Sequence, residues 1–172
     1  NLGLLLEGNP NFIPCTPHGV LEILKYYNIP VSGRHAVIVG RSNIVGKPMF
    51  ALLAQKFEMG NATVTICHTG TKNLISHTKR ADILIAAAGS PEMITGEIIK
   101  EGVDIVDVGI NRVNDDSEKG YHLVGDVCTE SVMGIANSIT PVPGGVGPMT
   151  IIMLLFNTVM SAERCRKLEV AI

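Results

Sequence analysis

The sequence predicts an α/β fold in which a doubly wound, mostly parallel sheet carries helices on both faces. The main observation is an alternation: four strongly apolar segments are separated by stretches with helical character. The first of them, HAVIVG, is nearly continuous rather than alternating in polarity, which is typical of a parallel strand buried on both faces. The composition agrees, since 46% of the 172 residues are hydrophobic and 17% are charged, enough apolar surface for a folded core.

The elements follow one another in a regular order. Thr16 offers a capping hydroxyl and Pro17 needs no amide donor, so a helix is predicted to begin there and to end before Pro30. Residues 113–122 are polar and rich in turn formers, and they predict an exposed hairpin. A long apolar helix over 149–165 comes last. The predicted strands are HAVIVG, ATVTIC, ADILIAAAG and VDIVDVG, with helices between them over 45–57, over 72–80 and after Thr95.

Charge and composition exclude several classes of partner. The net charge is −2 and no basic run occurs, so neither nucleic acid nor an anionic membrane is expected to bind. The apolar run over 149–160 is shorter than the roughly 20 residues of a membrane helix. The histidines show no metal-ligand spacing, and no metal site is predicted. The cysteines are far apart and predict reduced thiols in a cytoplasmic protein, with two disulfides as the alternative: Cys15, Cys67, Cys128 and Cys165.

A glycine-containing turn follows the first predicted strand. In the Rossmann pattern G-x-G-x-x-G, the first glycine makes the turn and the third lets the helix pack on its strand, roles that Gly40 and Gly46 fit. Ser42 takes the middle place and adds a hydroxyl donor. A Walker A loop is excluded because Pro48 stands where that motif needs serine or threonine. The turn therefore predicts a Rossmann-type dinucleotide site, while a tight strand–helix connection without a ligand stays open.

The end of the second strand favours NADP over NAD. NAD sites usually place a carboxylate there for the ribose 2′-hydroxyl, whereas NADP sites use an arginine for the 2′-phosphate. This chain has CHTGTK, with His68, Thr69 and Lys72 and without a carboxylate, and Arg41 extends from the first turn. A guanidinium, a hydroxyl and a possible imidazolium predict a phosphate cradle. Solvated side chains at Arg41 and Lys72 are the alternative interpretation.

Two other strings stand out near predicted strand ends. Gly109 in GINR leaves room for a nicotinamide or ribose, or simply ends a strand. The segment TPVPGGVGPMT, residues 140–150, forms a stiff frame suited to a flat polar ligand, with a rigid connector as the alternative. Asp107 and Asp126 are candidates for acid–base chemistry, but aspartates in such places more often accept hydrogen bonds from local backbone. Spacing alone singles out no catalytic base.

Six motifs occur together in one order: PCTPHGV (14–20), VIVGRSNIVGKP (37–48), ATVTICH (62–68), DVGINR (107–112), VGDV (124–127) and ITPVPGGVGPMT (139–150). Together they resemble the bifunctional methylenetetrahydrofolate dehydrogenase/methenyltetrahydrofolate cyclohydrolase family over nearly the whole chain. GRSNIVGKP and PVPGGVGPMT are the most specific of them. The resemblance implies an enzyme that oxidises 5,10-methylenetetrahydrofolate to the methenyl compound with NADP and hydrolyses that product to 10-formyltetrahydrofolate.

The resemblance also assigns individual residues. Pro143 and Gly144 match the lip of the family's folate cleft. Ile110 matches the contact near the nicotinamide and is assigned by the resemblance alone. With the residues inferred from the turn and the second strand, the expected cofactor set is Gly40, Arg41, Ser42, Gly46, His68, Thr69 and Ile110.

The catalytic elements of the family do not occur in this chain. Its Tyr-x-x-x-Lys motif and Asp-Val-Asp-Gly segment belong to an N-terminal domain, and neither pattern is found here. We therefore expect no catalytic residue, an interdomain linker at 1–15, an NADP-binding domain at 16–148, and a last helix at 149–172 that packs on the missing domain of a full-length homodimer. Two alternatives stay open: a shikimate-dehydrogenase-like NADP enzyme, and a non-catalytic module that assembles through the last helix.

Overall fold

A computed structural model describes residues 1–170. The helices are α1 (Leu2–Leu6), α2 (Cys15–Tyr26), α3 (Gly46–Ala54), α4 (Leu74–Thr78), α5 (Thr129–Val132) and α6 (Val146–Val170), with one turn of 3₁₀ helix at Gly96–Ile98. The strands are β1 (His35–Val39), β2 (Thr63–Cys67), β3 (Ile83–Ala86), β4 (Asp104–Asp107), β5 (Asn111–Asn114), β6 (Tyr121–Val124) and β7 (Ser138–Ile139).

The predicted parallel sheet with two covered faces is confirmed. Five strands lie in the order β2-β1-β3-β4-β7, and each neighbouring pair is parallel. Successive residues of β1 enter different cores: Ile38 packs with the cluster under α2 and α3, and Val37 packs with the cluster on the opposite face. Both side chains are fully buried. The chain runs outward from β1 in two directions, so β1 and β3 flank the switch point where such sheets bind ligands.

The predicted exposed hairpin is also present. Strands β5 and β6 pair antiparallel outside the main sheet, and Asn114 lies opposite Tyr121. The guanidinium carbon of Arg112 lies 3.8 Å from the centre of the Tyr121 ring. The polar run that predicted this hairpin forms its tip, where the backbone has no other strand to pair with.

The predicted start of α2 is wrong by two residues, because the cap position is Pro14 rather than Thr16, and the capping role of Thr16 is wrong with it. The helix begins at Cys15 after Pro14, and no side chain in the described part of the chain caps it. Thr16 Oγ1 is instead 3.0 Å from Thr150 Oγ1 of α6. A Cβ on Gly19 would lie 3.0 Å from Met149 Cβ, so α2 and α6 approach closely there. The Thr16 hydroxyl thus joins α2 to α6 instead of capping α2.

Helix α6 begins earlier than predicted and continues past 165 to Val170, and positions 171–172 of the predicted last helix lie outside the described residues. It begins at Val146 rather than 149, because Pro148 is tolerated in the first turn of a helix, where its missing amide has no partner to lose. Its segment Val146–Arg166 is long and apolar enough to cross a membrane, by length and composition alone. The run over 149–160 lies within this longer helix, so its short length does not describe the helix as a whole. One such helix is weak grounds for a membrane span, and α6 packs along α2.

Candidate dinucleotide site

The carboxyl edge of the sheet brings together the residues predicted to bind a nucleotide. The turn after β1 holds Gly40, Arg41 and Ser42, and the turn after β2 holds His68 and Thr69. Ile110 follows β4, and the segment with Pro143 and Gly144 follows β7. All four strands are parallel, so their ends meet at one edge. The sites predicted from distant parts of the sequence therefore share one surface.

Backbone packing explains why both glycines stand in the first turn. Gly40 has a φ of +132°, and a Cβ there would lie 2.7 Å from the carbonyl carbon of Ala87. Gly46 begins α3, and a Cβ there would lie 2.7 Å from the Gly40 carbonyl carbon and 2.8 Å from Arg41 Cα. Gly40 thus lets β1 end against the residue after β3, and Gly46 lets α3 start directly against the turn.

Four consecutive amides in this turn are left free. Within the described residues, the N–H groups of residues 41–44 donate no hydrogen bond to any backbone or side-chain acceptor. Ser42 Oγ accepts from Val45 N at 3.0 Å and from Gly46 N at 3.3 Å, so it closes the N-terminus of α3. Its own hydroxyl proton remains available. Free amides beside a helix N-terminus are the donors that a pyrophosphate needs.

Arg41 projects from this turn into solvent. The residue is exposed, and none of the ion pairs among the described side chains includes it. The neighbouring Lys47 is engaged, since its Nζ donates to Asn43 Oδ1 at 2.7 Å. The guanidinium is thus available for a phosphate, and its role as a ligand stays a prediction.

The turn after β2 orients the His68 ring. Gly70 N donates to His68 Nδ1 at 3.0 Å, so that nitrogen carries no proton and the ring proton lies on Nε2. Thr71 Oγ1 accepts from His68 N at 2.8 Å and tightens the same turn. The ring edge with Nε2 is left as the donor side of His68, and its part in the phosphate cradle stays a prediction. Thr69 is exposed beside it.

The two aspartates at the strand ends are buried and occupied by backbone donors. Asp107 accepts from the amides of Gly109, Asp126 and Val127, and Asp126 accepts from three further amides. Burial raises the pKa of the Asp107 carboxyl against the lowering effect of these amides. Both carboxylates are buried, so neither can reach a substrate as an acid or base. They instead hold the backbone of neighbouring loops, a role that the sequence spacing did not reveal.

The residues expected at the nicotinamide and folate end are accessible. The Ile110 side chain is 58% exposed, and its Cδ1 lies 3.6 Å from where a Cβ on Gly147 would be. Pro143 and Gly144 are also exposed, and Gly144 has a φ of +101°. A cavity of about 430 Å³ lies beside Gly144, between this segment and the last turns of α2. Whether these residues contact a ligand stays a prediction.

A cavity larger than the one beside Gly144 lies elsewhere. It measures about 560 Å³ and opens at the amino edge of the sheet between His35, Lys79, Arg80 and Lys100. Lys100 Nζ forms an ion pair with Asp82 Oδ1 at 2.5 Å. Hydrogen bonds from the His35 amide and from Lys100 lower the pKa of the Asp82 carboxyl. Ligands of open α/β sheets bind at the carboxyl ends of the strands. The nucleotide site is therefore assigned to the glycine turn at that edge, although the cavity at the amino edge has the larger volume.

Comparison with known proteins decides the family. The model of the family "Tetrahydrofolate dehydrogenase/cyclohydrolase, NAD(P)-binding domain" matches residues 14–166. The chain belongs to this family. The resemblance found in the sequence motifs is thereby confirmed, and the shikimate-dehydrogenase-like alternative is not supported. The match also agrees with the predicted dinucleotide-binding fold, because the family is one of NAD(P)-binding domains.

Curated relatives and solved structures agree with the family match. The chain is 55% identical over 172 residues to "Bifunctional protein FolD" of Natronomonas pharaonis, covering all of this chain and 58% of that protein. It is 58% identical over 159 residues to "Bifunctional protein FolD 1" of Haloarcula marismortui, covering 92% of this chain and 54% of that protein. The chain therefore spans little more than half the length of these relatives.

Two solved structures share the fold closely. The Campylobacter jejuni bifunctional enzyme FolD has a TM-score of 0.85 at 51% identity, over 94% of this chain and 55% of that one. The Trypanosoma brucei FolD, complexed with NADP cofactor and inhibitor, has a TM-score of 0.87 at 41% identity, over 96% of this chain and 56% of that one. The family domain is thus superimposable on a relative whose cofactor is NADP.

Proposed function

We propose that the chain binds NADP at the turn after β1, as the cofactor domain of a methylenetetrahydrofolate dehydrogenase/cyclohydrolase. The observation that carries the proposal is the set of free amides at residues 41–44 beside the exposed Arg41, which forms no ion pair among the described side chains. The amides suit the pyrophosphate, and the guanidinium suits the 2′-phosphate. Ser42, His68 and Thr69 add neutral donors around these two groups.

The role of this domain in the whole enzyme is to hold the nicotinamide toward a folate. Ile110 lies at the nicotinamide end, and Pro143 and Gly144 form one lip of the folate cleft. The chemistry that NADP supplies is hydride acceptance from 5,10-methylenetetrahydrofolate, and this chain supplies binding and orientation. Hydrolysis to 10-formyltetrahydrofolate and the catalytic residues belong to the other domain, so residues 16–148 act as the cofactor module and 1–15 as the connection to that domain.

The apolar face of α6 is the proposed contact with the catalytic domain. Six large apolar side chains on it are between 49% and 63% exposed: Ile151, Ile152, Leu154, Leu155, Phe156 and Val159. Contiguous exposed apolar side chains of this kind usually mark an interaction surface. The full-length homodimer and the cytoplasmic location remain proposals. They are supported by the family resemblance and, for the location, by the free thiols of all four cysteines.

Titration of the chain with NADPH tests the proposed function. We expect binding without turnover, because the cofactor turn is present and the catalytic motifs are not. Saturation at 100 times Kd should stabilise the fold by about 2.7 kcal/mol, which a thermal melt detects. A melting temperature that NADPH does not change would favour the non-catalytic module. Oxidation of methylenetetrahydrofolate by this chain alone would contradict the proposed division of labour.

A further inference from the structure

Asp126 makes four hydrogen bonds from a side chain without solvent exposure. Its Oδ2 accepts from the amides of Ala88 at 2.6 Å and Gly89 at 2.9 Å. Its Oδ1 accepts from Ser90 N at 3.0 Å and from Asn111 Nδ2 at 2.9 Å. All four donors are neutral, and among the described side chains no cation pairs with this carboxylate.

Asp107 fixes the backbone that carries Asp126. Asp107 Oδ1 accepts from Asp126 N at 3.0 Å, and Oδ2 accepts from Val127 N at 2.9 Å. Two glycines make room for the pair, since a Cβ on Gly109 would lie 2.6 Å from Asp126 N and one on Gly125 would lie 2.6 Å from Asp107 Cγ. The glycines of DVGINR and VGDV are therefore spacers for two buried carboxylates.

The loops joined by Asp126 lie on one side of the switch point. Residues 88–90 follow β3, and residues 109–111 follow β4. In a dinucleotide fold the adenosine half lies over the first two strands, here β1 and β2, so the other half extends over the ends of β3 and β4. Asp126 therefore contacts the nicotinamide side of the site and makes no hydrogen bond to the turn after β1.

Burying a carboxylate between two loops is energetically unfavourable unless hydrogen bonds compensate for the lost water. Burial removes the carboxylate from water, and only a full set of hydrogen bonds offsets that loss. Here the donors come from the segments after β3 and β4, which line the site. Such an arrangement holds several amides in one geometry before a ligand arrives, which lowers the ordering cost of binding.

We propose that Asp126 is a positioning residue for the nicotinamide half of the cofactor. It sets the loops after β3 and β4 at the separation that this half requires, without touching the cofactor. The adenosine half is held independently by the turns after β1 and β2. The inference rests on the proposed function, because it presupposes NADP in the carboxyl-edge site.

The test compares two ligands on the Asp126→Asn variant of the chain. NADPH has both halves, whereas adenosine 2′,5′-bisphosphate has only the adenosine half with its 2′-phosphate. The asparagine places an amide NH₂ against two loop donors, so NADPH affinity should fall roughly tenfold while the bisphosphate affinity stays within about twofold. Asp116→Asn, an exposed aspartate in the hairpin, is the matched control and should change neither affinity.

A second variant keeps the test decisive if Asp126→Asn does not fold. Asn111→Ala removes one donor to Asp126 and leaves its three loop amides, and NADPH affinity should fall roughly threefold with the bisphosphate unchanged. A purely structural role would lower both affinities together or neither, and either result would overturn the inference. Wild-type chain that binds the bisphosphate but not NADPH would also overturn it. Failure of the wild type to bind either ligand would instead remove the proposed function.

Discussion

Replacement of Gly46 by alanine is expected to destabilise the domain and to remove most of its affinity for NADPH. The added Cβ would lie 2.7 Å from the Gly40 carbonyl carbon and 2.8 Å from Arg41 Cα, and both are backbone atoms that no rotamer change can move. The start of α3 must therefore shift away from the turn. We expect a loss of about 3 kcal/mol in the free energy of unfolding, measured by urea denaturation.

The same substitution should also weaken NADPH binding, because it displaces the free amides of residues 41–44. Displacement of the turn misaligns several donors to the pyrophosphate, so NADPH should bind roughly 100-fold more weakly by calorimetry. Gly3→Ala is the matched control, because a Cβ there meets nothing within 4 Å. A Gly46→Ala variant with wild-type stability and affinity would show that α3 does not depend on this close approach.

Removal of the Arg41 guanidinium should separate the two nicotinamide cofactors. Arg41 is exposed and has no ion-pair partner among the described side chains, so Arg41→Ala should leave the stability of the fold almost unchanged. Loss of a charge-assisted contact with the 2′-phosphate should cost about 2 kcal/mol, or roughly 30-fold in NADPH affinity. NADH lacks this phosphate and should be affected little.

The control for this prediction is another exposed arginine. Arg80 lines the cavity at the amino edge, and Arg80→Ala changes the net charge of the chain by the same amount. It should leave both cofactor affinities unchanged. Equal losses of NADPH and NADH in Arg41→Ala would assign the guanidinium to the pyrophosphate and leave the 2′-phosphate without its proposed partner.

The parts of the fold that were predictable follow from strong local patterns. The strands with nearly continuous apolar residues, such as β1 and β3, could only be buried on both faces, and they are. The polar run before Tyr121 could only form an exposed turn. The glycine turn was visible for the same reason, because Gly40 and Gly46 stand at the spacing that strand–helix packing requires.

The features that were missed depend on contacts between distant segments. The sequence around Thr16 has the form of a cap, but its hydroxyl pairs with Thr150, which lies 134 residues later. Strand β7 has only two residues, too few for a periodic pattern, and it exists because β4 offers it an edge. The short helix α5 carries no such pattern either.

The role of Asp126 was hidden for the same physical reason. An aspartate after a glycine near a strand end suggests a local turn, yet its acceptor oxygens serve amides 36 to 38 residues earlier in the chain. Its burial could not be inferred from neighbours of mixed polarity. The glycines at 109 and 125 were a usable signal, because paired glycines near two aspartates indicate that something bulky approaches the backbone.

The structure of the chain with NADP bound is the measurement that tests the cofactor site most directly. We predict pyrophosphate oxygens within hydrogen-bonding distance of the amide nitrogens of residues 41–44, and the 2′-phosphate against the guanidinium of Arg41. A cofactor whose phosphates lie elsewhere, for example among Lys79 and Arg80 at the amino edge, would contradict the assignment of the site.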